Sequence, residues 1–349
     1  MAFTQHFDIG RTELAIEKGL NYLSSQNVNG YWKGFPTLAG ESDIWVTGFV
    51  LAHIRNLCKE PELIRKAESF LLLSRQQNGG WSYSSQVPPD ADSTSWCLQA
   101  LQPCKEFSAV DSASAKTFLW NHFTGNGIAT YKTNSGIREF IGAPADEWIA
   151  GWTSAHTDVS VAAILADPES EKVANVINWL MTQQTDQGFV NSYWWRGPYY
   201  ATALFLRAFA KVNNQMPAKL VESVLSSLME NQLAGGGFGL DSSLTMDSFS
   251  TALALQSFTN VTTAGAHSER TLCGNALLQA QQNGGSWKGD FILRIPAPPI
   301  TNPAEVLSWS NADGGGNSLI EDRGGLFATA MSCYALDCWL KKETSNKEM

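Results

Sequence analysis

An all-α barrel of six outer and six inner helices is the fold this sequence predicts, and three observations predict it. Helical periodicity recurs in six units, each pairing an amphipathic stretch with a second stretch that is apolar on nearly every face, as buried helices are. A glycine followed by an aromatic residue marks the end of the first stretch in most units. Connections within a unit are long and those between units short, so the long ones gather at one end of the assembly. Closing the units into a ring removes the open ends that a linear array would have to cap. Residues 1–349 are expected to form one barrel domain.

The first unit places an outer helix over 11–26 and an inner helix over 43–58, joined across Gly30 and Trp32. The second runs 61–77 and 92–103, with Gly79 and Trp81 between them. The third pairs 111–124 with 156–166; the fourth pairs 169–184 with 198–212 and turns at Phe189. In the fifth, 217–232 leads through Phe238 to 246–259, where DSFSTALALQSF is small or apolar on most faces. The sixth joins 267–282 through Trp287 to 324–340. Each turn glycine is expected at the exit of its outer helix in a left-handed conformation that a side chain resists, and each aromatic is expected to fold back as a packing plug. Of the long connections, 131–155 and 288–323 stand out. Long ordered loops on a rigid scaffold usually carry function, so the site is expected at the N-terminal end of the inner helices.

Only 16% of residues are charged and 13 are tryptophan, so much side-chain surface must face an interior. The net charge of −9, without a basic cluster, argues against a nucleic-acid partner. The N-terminus lacks the pattern of a signal peptide, and no apolar run is long enough to span a bilayer. Six cysteines without a CxxC pair are expected as reduced thiols of a cytoplasmic protein. Peripheral membrane contact stays open, although no strongly basic amphipathic helix supports it. The five histidines show no ligand spacing, and neither metal nor cofactor is expected.

Where the second inner helix begins, Pro88-Pro89 precede Asp90-Ala91-Asp92-Ser93-Thr94. Helix capping accounts for one acid and one hydroxyl there. A second acid exceeds what a cap requires. Helix N-terminal N–H groups stabilise a carboxylate and so strengthen the acid, and protonating an alkene needs a strong acid in a dry cavity.

This segment resembles the DxDDTA motif of class II terpene cyclases of the squalene–hopene cyclase superfamily, in register with Ala100-Leu101. The resemblance implies that Asp92 is the proton donor, with Asp90 and Ser93 beside it; Ser93 stands where the family has an acid and is expected to donate to Asp92. Asp158, at the start of the third inner helix, matches a further family acid, with an N-cap role equally open. Gln26…Gly30-Tyr31-Trp32 and Gln281…Gly285-Ser286-Trp287 resemble the family's QxxxGxW repeat. Local matches nominate Trp45, Tyr83, Tyr131, Trp194, Tyr200 and Phe291 as cavity aromatics. For any one of them taken alone, core packing is the commoner role.

Hopene cyclases join two barrels and this chain holds one, so it is similar to the rarer monodomain class II cyclases. The chemistry this implies needs no metal: Asp92 protonates a terminal alkene or epoxide of a polyprenyl chain, and aromatic faces stabilise the migrating cation. A prenylated aromatic acid is the expected substrate, with Arg196 or Arg294 pairing its carboxylate, against a surface role for each arginine. A linear triterpene cyclase and a non-catalytic isoprenoid-binding barrel are the alternatives. Zinc-dependent prenyltransferases would need an Asp-x-Cys pair, and class I synthases a DDxxD motif; both are missing. A glycan-processing barrel would show two separated carboxylates across an open groove.

Overall fold

The computed structural model describes residues 7–213, 216–241, 243–261, 266–311 and 314–345. The ends of the expected domain (1–6 and 346–349) and residues 312–313 of the expected 288–323 loop lie outside the described residues. Helices follow in the order α1 (Ile9–Ser25), α2 (Ile44–Ile54), α3 (Pro61–Ser74), α4 (Ala91–Leu101), α5 (Ala109–Trp120), α6 (Ile137–Phe140), α7 (Ala150–Thr153), α8 (Thr157–Ala166), α9 (Val173–Thr182), α10 (Tyr199–Asn213), α11 (Ala218–Asn231), α12 (Ser248–Asn260), α13 (His267–Ala280) and α14 (Leu326–Ser345). All twelve expected helices are present, and the two short ones, α6 and α7, fall inside the 131–155 connection.

The inner helices close a ring: α2 packs on α4, α4 on α8, α8 on α10, α10 on α12, α12 on α14, and α14 back on α2. Nearly every residue of α2, α4, α8 and α12 is buried, which is why these sequences are apolar all round. The outer helices keep one wet face; α1 buries Thr12, Ala15, Ile16, Gly19 and Leu23 and exposes most of the rest.

One hydrogen bond repeats six times and fixes how each unit turns. The backbone N–H after the turn donates to a hydroxyl in the first turns of the following inner helix: Trp32 to Thr47, Trp81 to Thr94, Ile128 to Ser160, Val190 to Thr202, Phe238 to Thr251 and Trp287 to Thr329. The plugs behave as expected. The indole N–H of Trp32, Trp81 and Trp287 donates to the Leu23, Leu71 and Leu277 carbonyls in the last turn of each outer helix, where acceptors lack their i+4 partners. The turn glycines differ in position from the expectation. They are left-handed, but they stand several residues past the outer helix, which leaves through ordinary residues such as Gln26 and Arg75. The reason is a close approach: a Cβ on Gly285 would lie 2.3 Å from the Lys18 carbonyl oxygen of α1, and one on Gly30 2.6 Å from that of Lys66 in α3. Each turn therefore lies directly on the next outer helix.

The long connections carry three antiparallel strand pairs, β1 (Gly34–Thr37) with β2 (Gly40–Ser42), β3 (Ile128–Ala129) with β4 (Ala155–His156), and β5 (Leu293–Ile295) with β6 (Ser318–Ile320). They sit at the N-terminal end of the inner ring, as expected. Across the axis just below them runs an aromatic layer: Phe49 stacks on Phe327 at 3.8 Å between centroids, Trp195 on Tyr200 at 4.1 Å and on Phe249 at 5.3 Å.

Candidate active site

Above that aromatic layer lies a chamber of about 550 Å³, within the size range that holds drug-sized ligands. Its floor and walls come from Trp45, Tyr83, Tyr131, Trp152, Trp194 and Trp195, with Val87, Ile137, Ile141, Leu293 and Ile295 between them. Both predicted loops contribute: Tyr131, Ile137 and Trp152 from the first, Leu293, Ile295 and Pro298 from the second. At the rim, Leu38 and Phe140 stand exposed to solvent.

Asp90, Asp92 and Ser93 face this chamber from the start of α4. Asp90 is the N-cap. Its Oδ1 accepts from the Ser93 N–H at 2.8 Å and its Oδ2 from the Ser93 hydroxyl at 2.6 Å. Asp247 caps α12 in the same way through Ser250, so an acid at this position belongs to the repeat. The place two residues past the cap varies among the inner helices: α12 sets Phe249 there, part of the axial aromatic layer, whereas α4 sets Asp92 and α8 sets Asp158.

Asp92 lies deep in the molecule, and what surface it keeps belongs to the chamber wall. The Trp45 indole N–H donates to its Oδ2 at 2.8 Å. Burial, the neighbouring Asp90 and then Asp158 push its pKa well above the usual carboxylate value, while the Trp45 and Trp96 indoles work the other way. Burial likewise carries Asp90 up to about 7, against the pull of Ser93. The two acids stand side by side on the chamber wall, and this setting favours the protonated form of Asp92.

Ser93 departs from the expectation, because its hydroxyl is turned to Asp90 and leaves the support of Asp92 to Trp45. Asp158 does not line the chamber. Its Oδ2 accepts from the Tyr193 and Trp194 backbone N–H groups at 3.0 and 2.7 Å and so anchors the loop that presents Trp194. Burial first raises its pKa to about 6, opposed by those N–H groups and Arg294.

Of the nominated aromatics, Trp45, Tyr83, Tyr131 and Trp194 reach the chamber. Tyr83 stacks on Trp45 at 5.8 Å, and its hydroxyl donates a hydrogen bond to the Phe35 carbonyl. Trp194 donates its indole N–H to Thr130 at 2.7 Å, and Tyr131 stacks on Trp152 at 6.1 Å. Tyr200 and Phe291 do not line it. Tyr200 is fully buried beneath Trp195, and Phe291 is part-buried, with its carbonyl taken by Arg196. Trp152 and Trp195 belong to the wall but were not nominated; Trp195 is the immediate neighbour of Trp194, and a bridge to Leu293 sets which of the two lies deeper.

Neither nominated arginine faces the chamber. Arg196 binds Asp241 Oδ2 through Nε and Nη2 at 2.9 and 2.6 Å. Arg294 donates to the Tyr193 and Ser192 carbonyls and lies over the Trp309 ring. Both guanidiniums are committed to holding loops together, and the lining residues include no Lys or Arg among the described residues. Far from the chamber, Glu68, Cys104 and Glu106 come close enough to share a metal ion, but Glu68 pairs with Arg55 and the Cys104 thiol with Glu106.

No protein-family model matches the chain. Solved structures of the type II terpene cyclase MstE from Scytonema match it at 27% identity. One, with geranylgeranyl dihydroxybenzoate as substrate, has a TM-score of 0.87 over 96% of this chain and 99% of that one. Another, with merosterolic acid A as product, has a TM-score of 0.88 over 96% and 98%. A protein from Actinoplanes matches at 25% identity and a TM-score of 0.86, over 94% of this chain and 99% of its own. An ent-copalyl diphosphate synthase from Streptomyces is 25% identical over 163 residues, which are 46% of this chain and 28% of that protein.

Proposed function

We propose that this chain, a class II terpene cyclase, uses Asp92 to protonate the terminal alkene or epoxide of a polyprenyl chain and so starts a cationic cyclisation. One observation carries the reading: a carboxyl set two residues past a helix cap, on the wall of an aromatic chamber, where burial and a neighbouring acid push its pKa up. Trp45 supports one oxygen of Asp92, which leaves the other to carry the transferable proton. As the proton leaves, that charge-assisted bond strengthens, and the Asp90 cap keeps the start of α4 in place.

The alkene attacks the acid proton, the neighbouring double bonds close in turn, and a final deprotonation makes the change an isomerisation. The faces of Trp45, Tyr131, Trp194 and the unpredicted Trp152 and Trp195 surround the path of the cation, each desolvated contact worth about 2 kcal/mol. Exclusion of water keeps the cation from early capture.

A prenylated aromatic acid is the substrate class, as in the MstE complexes. The prenyl chain fills the apolar interior. With no lysine or arginine on the wall among the described residues, the carboxylate of such a head group faces the rim and solvent. Exposed Leu38 and Phe140 at that rim support uptake of the chain from a membrane surface. No helix of the described residues is long and apolar enough to cross a membrane. The barrel of residues 1–349 is proposed to act as one working unit.

The test is product analysis by mass spectrometry. Wild-type protein incubated with a geranylgeranylated dihydroxybenzoate is expected to yield an isomer of unchanged mass and shorter retention, and Asp92→Asn, folded by circular dichroism, is expected to yield none. Product formation by Asp92→Asn would overturn the assignment of the acid.

A further inference from the structure

Thr130 lines the chamber just past β3, and the pairing of β3 with β4 brings His156 beside it, where α8 begins. Four groups run there in series. The Trp194 indole nitrogen lies 2.7 Å from Thr130 Oγ1, that oxygen lies 2.8 Å from His156 Nδ1, and His156 Nε2 lies 2.6 Å from the Gly151 carbonyl oxygen. Each end of the series can act in one way only, and together they fix the direction of every bond between them. An indole N–H only donates, so Thr130 accepts from Trp194. A backbone carbonyl only accepts, so His156 carries its proton on Nε2. Nδ1 is then a bare acceptor, and the Thr130 hydroxyl supplies its hydrogen.

This arrangement sets Thr130 apart from Thr37, Tyr83 and Ser93 on the same wall. Thr37 and Tyr83 donate to the Gly40 and Phe35 carbonyls, which cannot keep a proton, and Ser93 donates to an acid, Asp90. Thr130 donates to a nitrogen base. Burial lowers the His156 pKa to about 3, so the ring is neutral and its Nδ1 lone pair is available. Tyr193 stacks on the ring at 3.9 Å and Trp194 meets it edge-on at 5.8 Å, which holds it in one orientation. A hydroxyl bonded to a fixed, neutral imidazole can take up one proton while passing on another, which an isolated hydroxyl does poorly.

We propose that Thr130 is the base that ends the cyclisation, with His156 as the partner that receives the proton. The inference rests on the class II reading, in which a carbocation stands on the closed rings when the cascade stops. A C–H bond next to the cationic carbon breaks, and its electron pair becomes the new double bond. The proton goes to Thr130 Oγ1 while the hydrogen already there passes to His156 Nδ1, leaving an imidazolium. The low basicity of the buried ring is no obstacle, because an alkyl carbocation gives up its proton to bases as weak as water. It helps afterwards, since the imidazolium loses its proton to water when product leaves. The substrate gains one proton from Asp92 and loses one to Thr130, so its mass is unchanged. The Ala91 N–H donates to the Thr130 carbonyl at 3.0 Å, so one stretch of wall holds both the acid that starts the reaction and the base that ends it.

The test reads where the product's double bond lies, not how fast it forms. Thr130→Val removes the hydroxyl at nearly constant volume, and His156→Asn keeps an acceptor near the Nδ1 position but no basic nitrogen. In each, the wild-type alkene is expected to fall by at least about tenfold relative to alkene isomers and to alcohols carrying one added water. Mass spectrometry and NMR of the extracted products give that ratio. Thr130→Ser is expected to restore it. A purely structural role for the pair would lower total turnover and leave the ratio as it is, and that result overturns the proposal. Nitrogen NMR of His156 in the free protein is expected to show a proton on Nε2 and none on Nδ1; a proton on Nδ1 overturns it as well. Absence of any cyclised product from the wild type defeats the class II reading and the terminating role together. A cyclised product whose double bond ignores both variants defeats Thr130 alone.

Discussion

Replacing Trp45 by Phe removes the N–H that reaches Asp92 Oδ2 at 2.8 Å and keeps an aromatic face towards the chamber. A hydrogen bond to a charged group contributes about 1.5–3 kcal/mol. It is made chiefly to the ionised carboxylate, so losing it raises the Asp92 pKa further. The acid then stays protonated at neutral pH and gives its proton up less readily. If the whole bond is realised in the transition state, kcat falls by about 10- to 150-fold, each 1.36 kcal/mol being a factor of ten. The smaller ring also leaves a void beside Tyr83 and Trp195, which costs stability but changes the first-turnover rate little if the acid is unaffected. The assay is single-turnover cyclisation of a geranylgeranylated dihydroxybenzoate, with Trp45→Phe compared against Trp152→Phe, which thins the wall without touching the acid. Equal losses in the two variants would refute the role given to the indole N–H, because cation–π stabilisation would then account for both.

Stability is expected to fall between pH 5 and pH 8. Burial raises the pKa of Asp90 and Asp322 to about 7 and of Asp158 and Asp247 to about 6. Above the unfolded carboxylate pKa the unfolded chain has lost these protons and the folded one keeps them. The unfolded state therefore binds fewer protons, and stability declines until the folded values are passed. Thermal melts across that range check it, and a midpoint that rises with pH contradicts it. Arg196→Ala is expected to leave KM for the prenylated acid unchanged, because the guanidinium is paired with Asp241, and to cost less than about 1 kcal/mol of stability. A large rise in KM, absent for the methyl ester of the same substrate, would return Arg196 to the binding site.

Much of the site could be found in the chain alone where a local pattern and the repeat agreed. Asp92 stood out because it is surplus to the cap that Asp90 already supplies, and the equivalent cap at Asp247 makes the surplus visible. Trp45, Tyr83, Tyr131 and Trp194 lie at loop ends or inner-helix starts, and the barrel fixes which way those point. The misplacements share a cause. Arg196 meets Asp241, Arg294 meets the Ser192 and Tyr193 carbonyls, and Tyr200 slides beneath Trp195; each outcome depends on a partner in another stretch of chain or on depth along the axis.

The sequence by itself determined the sixfold unit, the all-α ring, the end at which the loops gather and the helix start that bears the acid. Those follow from periodicity, glycine placement and capping, which act within a few residues. The tertiary structure alone decided that Ser93 serves Asp90 and Trp45 serves Asp92, that the arginines hold loops, and that Tyr200 lies beneath Trp195. These depend on which side chains the closing ring brings within 3 Å of one another, and pairings at such separations leave no periodic trace along the chain.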